Sequence, residues 1–180
     1  MLNNQKRSQI GVIGSAGKDD YGQTGGANDL MLTAAEKVGR LLAKADAIVV
    51  TGGKDGIMAA AAAGAKKEGG LTIGVVKGQD RFSANKYTDI EVLSGMSADG
   101  LDELILVLMC DALIVIGGGA GTLQEITIAY RNKKSIIALN NSGGWAAKLA
   151  GKYLDEREKI CIKVAATPEE AVNLALAEIK

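Results

Sequence analysis

Apolar residues gather in short uninterrupted runs along this chain. Ile10 to Gly14, Ala47 to Thr51, Leu71 to Val76, Ala112 to Ile116 and Ser135 to Leu139 are rich in β-branched residues and apolar at successive positions rather than at every second one. Strands buried on both faces read this way. Helical stretches separate them, at about residues 27–45, 56–68, 98–109, 122–132 and 144–158. Repeated βαβ units predict an α/β architecture, a Rossmann-like, doubly wound and mainly parallel sheet with helices on both faces, in one domain over residues 1–180. Ile90 to Leu93 and Ile160 to Val164 bring the sheet to about seven strands, one of these two at an edge. A last helix is announced by Thr167, Pro168 and Glu170: Thr as cap, Pro in the first turn and Glu closing a capping box.

The polar punctuation is as informative as the runs. Almost every run ends in a small glycine-rich loop: Gly14 to Lys18, Thr51 to Gly56, Lys77 to Arg81, Ser94 to Ser97, Gly117 to Thr122 and Asn140 to Gly144. In an open parallel sheet these loops line the carboxyl edge, where such folds bind ligands. Gly117, Gly118, Gly119 and Gly121 have no side chains, so backbone N–H groups can converge on an anion, and the helix opening at Thr122 points its positive end there. The sequence therefore predicts a phosphate cradle, walled by Gly14, Ser15, Ala16 and Gly17 and by Gly52, Gly53 and Lys54. Two commoner fingerprints fail. The dinucleotide pattern G-x-G-x-x-G meets Gln124 where its third glycine belongs, and Gly17-Lys18-Asp19 and Gly53-Lys54-Asp55 carry Asp where a P-loop needs Ser or Thr.

Composition narrows the chemistry. Lys plus Arg equals Asp plus Glu at 21 each, so no long-range field recruits nucleic acid or acidic membranes. No apolar run exceeds about nine residues, half of what a membrane span needs, and the chain reads as cytoplasmic. Cys110 and Cys161 lie in apolar contexts without CxxC spacing, which predicts two small buried hydrophobes and no metal site. The chain has no histidine. Ser-His and Cys-His pairs and imidazole acid-base chemistry are thereby excluded, leaving carboxylates, Lys, Tyr, Ser, Thr and backbone dipoles.

Gly117-Gly-Gly-Ala-Gly-Thr-Leu-Gln-Glu125, with Thr51-Gly-Gly-Lys-Asp-Gly-Ile-Met58 and Gly14-Ser-Ala-Gly17 before it, resembles the LOG-type superfamily. That group includes nucleoside 5′-monophosphate phosphoribohydrolases, often labelled possible lysine decarboxylases, the molybdenum cofactor carrier protein and a domain of DprA-type DNA-processing proteins. The resemblance implies the Rossmann-like fold and a phosphorylated ligand. In the hydrolases the glycine motif begins with Pro, here Gly117, and its final Glu, implicated in cleaving the N-glycosidic bond, falls on Glu125. The Glu before that one is Gln124, while the Arg and Lys of the preceding helix fall on Asp102 and Glu103. An acid cannot do a cation's work beside a phosphate or a departing base. The glycine-first motif is similar to that of the molybdenum cofactor carrier, so the expectation is a binding protein for a phosphorylated nucleotide or molybdopterin-type cofactor, with no cofactor required for catalysis. The phosphoribohydrolase is the competing reading and DprA-like nucleic-acid processing the third.

Plainer roles compete for the same residues. Thr122-Leu-Gln-Glu125 has the spacing of a capping box, which would leave Glu125 tying down a helix start. Asp99, Asp102 and Glu103 suit the first turn of a helix. Arg81 and Lys86 belong to the loop 79–89, the expected cover of the site, where Arg81 could stand in for the missing arginine. Leu101 to Met109 is apolar nearly all round, which fits a homodimer or higher homo-oligomer paired through this helix, as relatives of the superfamily are.

Overall fold

A computed structural model describes residues 6–17, 26–96 and 100–179. Lys18 and Asp99 lie outside them. Seven strands form one sheet: β1 (Gln9–Gly14), β2 (Ile48–Thr51), β3 (Thr72–Val76), β4 (Ile90–Leu93), β5 (Ala112–Ile116), β6 (Ser135–Leu139) and β7 (Lys163–Ala165). All pair in parallel, in the order β4-β3-β2-β1-β5-β6-β7. Six helices accompany them: α1 (Asp29–Lys44), α2 (Ile57–Lys67), α3 (Leu101–Met109), α4 (Ala120–Arg131), α5 (Gly144–Leu149) and α6 (Pro168–Ala177). The order reverses between β1 and β5, so the chain turns one way from β1 and the other way from β5. That junction is the switch point at which open α/β sheets make a crevice.

Side chains that alternate along each strand build two cores. On β5, Ala112, Ile114 and Ile116 join Val38 and Leu42 of α1, Ile57 of α2 and Val172 of α6 on one face. Leu113 and Val115 join Leu106 and Val107 of α3 and Ile126 and Tyr130 of α4 on the other. Burial on both faces explains why the strands read as unbroken apolar runs. α3 keeps Leu104 and Leu108 exposed, one turn apart on its outer side.

Four local expectations need correction. The helix expected over 144–158 ends at Leu149, because Gly151 turns with φ +75° and the backbone pairs elsewhere: Gly151 N–H donates to the Ile162 carbonyl and Ile162 N–H to that of Lys152. Those bonds also shorten the strand expected at 160–164 to Lys163–Ala165. Cys161 is exposed, and only Cys110 is the buried hydrophobe foreseen for both. Thr167 caps α6 by accepting from Glu170 N–H, but the Glu170 carboxylate reaches past it to the N–H of Ala166.

β3 and β4 are joined without a helix, an economy rare for parallel neighbours. Residues 77–89 cross back over the sheet instead, held by side chains. The Glu91 carboxylate accepts from Phe82 N–H (2.5 Å) and Ala84 N–H (2.7 Å), and Asp89 pairs with Lys66. Asn85 ties the crossing to the loop after β2, its N–H to the Gly53 carbonyl and its side-chain amide to that of Lys54.

Candidate functional site

Four loops meet where β1 and β5 end. The loop after β1 is stitched to the others through Ser15. Its N–H donates to the Ile116 carbonyl at 3.2 Å, its carbonyl accepts from Ile57 N–H at the start of α2, and its hydroxyl accepts from Gly118 N–H at 2.9 Å. Ala16 packs against Gly56, where a Cβ would lie 2.4 Å from the Ala16 carbonyl carbon. Gly14 to Gly17 thus touch the end of the loop after β2 at Asp55 and Gly56 and the run from Gly117 to Thr122. The fourth loop is Asn140 to Gly144, for which the sequence predicts no role beyond ending a strand.

That fourth loop changes the chemistry of the glycine run. Ser142 is buried; its hydroxyl accepts from Gly117 N–H at 2.8 Å and donates to the Leu139 carbonyl at 2.6 Å. The carbonyls of Gly117 and Gly118 accept from Ala146 and Trp145 N–H at the start of α5. Both N–H groups and both carbonyls of Gly117 and Gly118 are therefore used within the protein. Both residues also have left-handed backbones, φ +67° and +107°, and Gly144 approaches so closely that a Cβ there would stand 2.6 Å from the Gly117 carbonyl carbon. This half of the run is a packing joint.

The other half is open. α4 begins at Ala120, two residues before the expected start, with Gly119 as its N-cap and no side chain capping it. Gly119 and Ala120 are exposed, and a Cβ on Gly119 would meet nothing within 4 Å. The first backbone N–H groups of α4 face this space without an intrahelical partner. Thr122 is the third helical residue. Its hydroxyl donates to the Gly14 carbonyl at 3.2 Å, locking α4 to β1, so Thr122 to Glu125 is not a capping box.

Glu125 accordingly has no capping duty. It is half-buried on the side of α4 toward Asp102 and Glu103 of α3 and makes no hydrogen bond among the described residues. Burial first, and then the charges of Glu103 and Asp102, push its carboxyl up to about 8 from an ordinary 4.5. Glu103 is also raised, by burial and by the Asp102 carboxyl beside it, while its Oε2 accepts from Gly100 N–H at 2.9 Å. Asp102 Oδ1 is buried without a hydrogen-bond partner. Asp102, Glu103 and Glu125 thus gather beside the glycine run, with Glu103 Oε1 3.9 Å from where a Cβ on Gly121 would stand. Among the described residues no group of acids or cysteines is arranged to hold a metal ion.

Arg81 is not drawn into this cluster. Its guanidinium sits 5.0 Å from the centre of the Phe82 ring and lines a cavity of about 580 Å³ along β4, with no hydrogen bond or ion pair to Asp102, Glu103 or Glu125. A second cavity, about 340 Å³, lies at the opposite, amino edge of the sheet beside Lys134 and Cys161. Neither includes the glycine run. Lys54 is exposed, and Gly53 spends its N–H on the Thr51 hydroxyl and its carbonyl on Asn85, which makes this loop a wall rather than a donor set.

Known proteins share this fold. The sequence profile of the SLOG cluster4 family matches residues 7–172. An uncharacterized protein of Archaeoglobus fulgidus is 32% identical over 171 residues, covering 95% of this chain and 96% of its own. Among solved structures, the molybdenum cofactor binding protein from Rippkaea orientalis superposes with a TM-score of 0.80 at 28% identity, over 98% of this chain and 99% of that one. The molybdenum cofactor carrier protein from Chlamydomonas reinhardtii gives the same TM-score and identity over 97% and 99%. Among the described residues no helix is long and apolar enough to cross a membrane.

Proposed function

The chain belongs to the SLOG cluster4 family, and from that premise we propose that it binds a phosphorylated nucleotide or a molybdopterin-type cofactor, holding it as a carrier rather than transforming it. One observation carries the reading: the uncapped N-terminus of α4 opens beside exposed Gly119 at the β1/β5 switch point. Free N–H groups and the helix dipole there favour a phosphate. Gly119, Ala120 and Gly121 supply the donors, while Gly117, Gly118, Ser15 and Thr122 hold the turn in place. A molybdopterin-type cofactor would be held by its phosphate, since Cys110 is enclosed in the core and Cys161 lies at the far edge, leaving no thiol for the metal. The structures named for that cofactor support this choice.

Denaturing the purified protein and identifying released small molecules by mass spectrometry tests the reading. A phosphorylated compound in stoichiometric amount is expected. Its absence, together with no binding of ribose 5-phosphate or any nucleotide by calorimetry, would overturn it.

A second reading has its own observation. Glu125 keeps its proton to about pH 8, as a general acid for a departing base must. In that case the protein is a nucleoside 5′-monophosphate phosphoribohydrolase, and incubation with monophosphates releases free base and ribose 5-phosphate. Turnover that vanishes in Glu125→Ala would replace the carrier by the enzyme.

A further inference from the structure

Parallel strands are covered on both faces by the helices of their crossovers, yet the crossing from β3 to β4 has none. Residues of that crossing and of β4 border instead the cavity of about 580 Å³, and β4 is the last strand of the sheet. Every second N–H and carbonyl along its outer border therefore has no strand to pair with. Such a border is a template for another extended chain.

The charges around this cavity are unevenly matched. Its two acids are engaged within the protein: Asp89 pairs with Lys66 and accepts from Thr72 N–H at 2.9 Å, and the Glu91 carboxylate holds the N–H groups of Phe82 and Ala84. Its two cations are not. Arg81 stacks on Phe82 and Lys86 on Tyr87, 5.0 and 5.2 Å from the ring centres, and among the described residues neither meets a carboxylate. Stacking orients both cations and leaves their N–H groups to donate outward. Apolar surface lies beside them. The Phe82 ring is 85% exposed, on a backbone kept left-handed at φ +65° while Glu91 grips its N–H, and Ile90 is 45% exposed. A bulky residue keeps such a backbone only where its surroundings impose it.

The two faces of β4 differ. Glu91 reaches the crossing, so alternation puts Ile90 and Val92 on the opposite side, where Val92 packs on the core beneath α3. A strand added along β4 would show one set of alternate side chains to Arg81 and Lys86 and the other to Ile90. We propose that β4 accepts an extended segment of a partner protein as a further strand, with acidic residues at every second position facing Arg81 and Lys86 and apolar ones between them facing Ile90. A second copy of this chain does not suit the border. Pairing β4 with β4 would bring Arg81 and Lys86 up to their own copies, and the other edge strand, β7, is three residues long and carries Lys163. A nucleic-acid strand would carry a phosphate at every residue past Asp89 and Glu91, and has no peptide backbone to pair with β4.

Fluorescence anisotropy of labelled octapeptides with the full chain tests this. Alternating Glu and Val is expected to bind about tenfold or more tightly than alternating Lys and Val, and than the same residues in block order. Methylating one alternate set of its backbone amides is expected to abolish binding and methylating the other set to leave it, since only one border of the peptide faces β4. Arg81→Glu combined with Lys86→Glu, both at exposed positions, lowers affinity for the Glu–Val peptide by about tenfold or more while the circular dichroism stays that of the wild type. Glu–Val binding no tighter than Lys–Val, equal effects of the two methylated sets, or an affinity unmoved in the double variant overturns the proposal. So does a labelled thymidine octamer that binds more tightly than the Glu–Val peptide, which makes this border a nucleic-acid surface.

Discussion

Gly117 and Gly118 have given all their backbone hydrogen bonds to the protein, while Gly119, the next residue, faces open space. The two halves of one run do different work for the same reason, the missing Cβ. In the first half its absence lets three loops pack within contact distance. In the second it keeps a helix terminus accessible to something from outside. A glycine-rich loop is thus no uniform cradle; its anchoring and binding residues are told apart by where each N–H goes.

Substitutions that add one methyl group test this contrast most severely. Gly144→Ala drives a Cβ to 2.6–2.7 Å from Gly117 and Gly118 backbone atoms, at a left-handed φ of +55°, and is expected to cost about 3 kcal/mol or more in chemical denaturation, or to prevent folding. Gly119→Ala places the same atom in open space at φ −103° and is expected to change stability by less than about 0.5 kcal/mol. Its effect falls on ligand affinity. Equal losses in the two variants would erase the distinction between the halves.

Glu125 gives the next largest effect, on a pH axis. The unfolded carboxyl releases its proton near 4.5 and the folded one near 8, so between those values unfolding releases a proton and stability falls as pH rises. Glu125→Gln removes this slope. The variant should gain on the wild type progressively from about pH 5 to pH 8, by on the order of a few kcal/mol at the upper end, followed as urea midpoints at each pH. Parallel curves would mean that the carboxyl is solvated and not enclosed against α3. Ser142→Ala is expected to be milder. It leaves the buried Gly117 N–H without its acceptor and costs about 1–3 kcal/mol by the same measurement.

The fold was legible because the strands are buried on both faces, so β1, β3, β5 and β6 stand out as apolar runs close to their observed limits. What misled lay where tertiary contacts override local pattern. Lys152 to Glu158 has helical composition, yet Tyr130 reaches over to take part of that segment, its hydroxyl donating to Asp155 at 2.8 Å and accepting from Lys159 N–H. The spacing Thr-x-x-Glu occurs twice. It marks a helix start at Thr167, whose backbone is extended at φ −134° and ψ 157°, and it fails at Thr122, where Gly119 has already turned the chain into α4. At the site, the glycine loops and Glu125 were visible as residues. The roles of Ser15 and Ser142 were not, since each acts on a glycine roughly a hundred or some twenty-five positions away. A small hydroxyl just after a buried strand, facing another such loop, was the available signal.

The crossing between β3 and β4 has a kinetic corollary. A helix in that place would rest on the sheet by its own apolar face and could shift as a body. Residues 77–89 have no such face and are pinned at Glu91, Asp89 and Asn85, the last fastened to the carbonyls of Gly53 and Lys54. Amide protons of Phe82, Ala84 and Asn85 should therefore exchange with solvent together, at the pace of the loop after β2. The outer border of the sheet and one wall of the cleft share a single hinge.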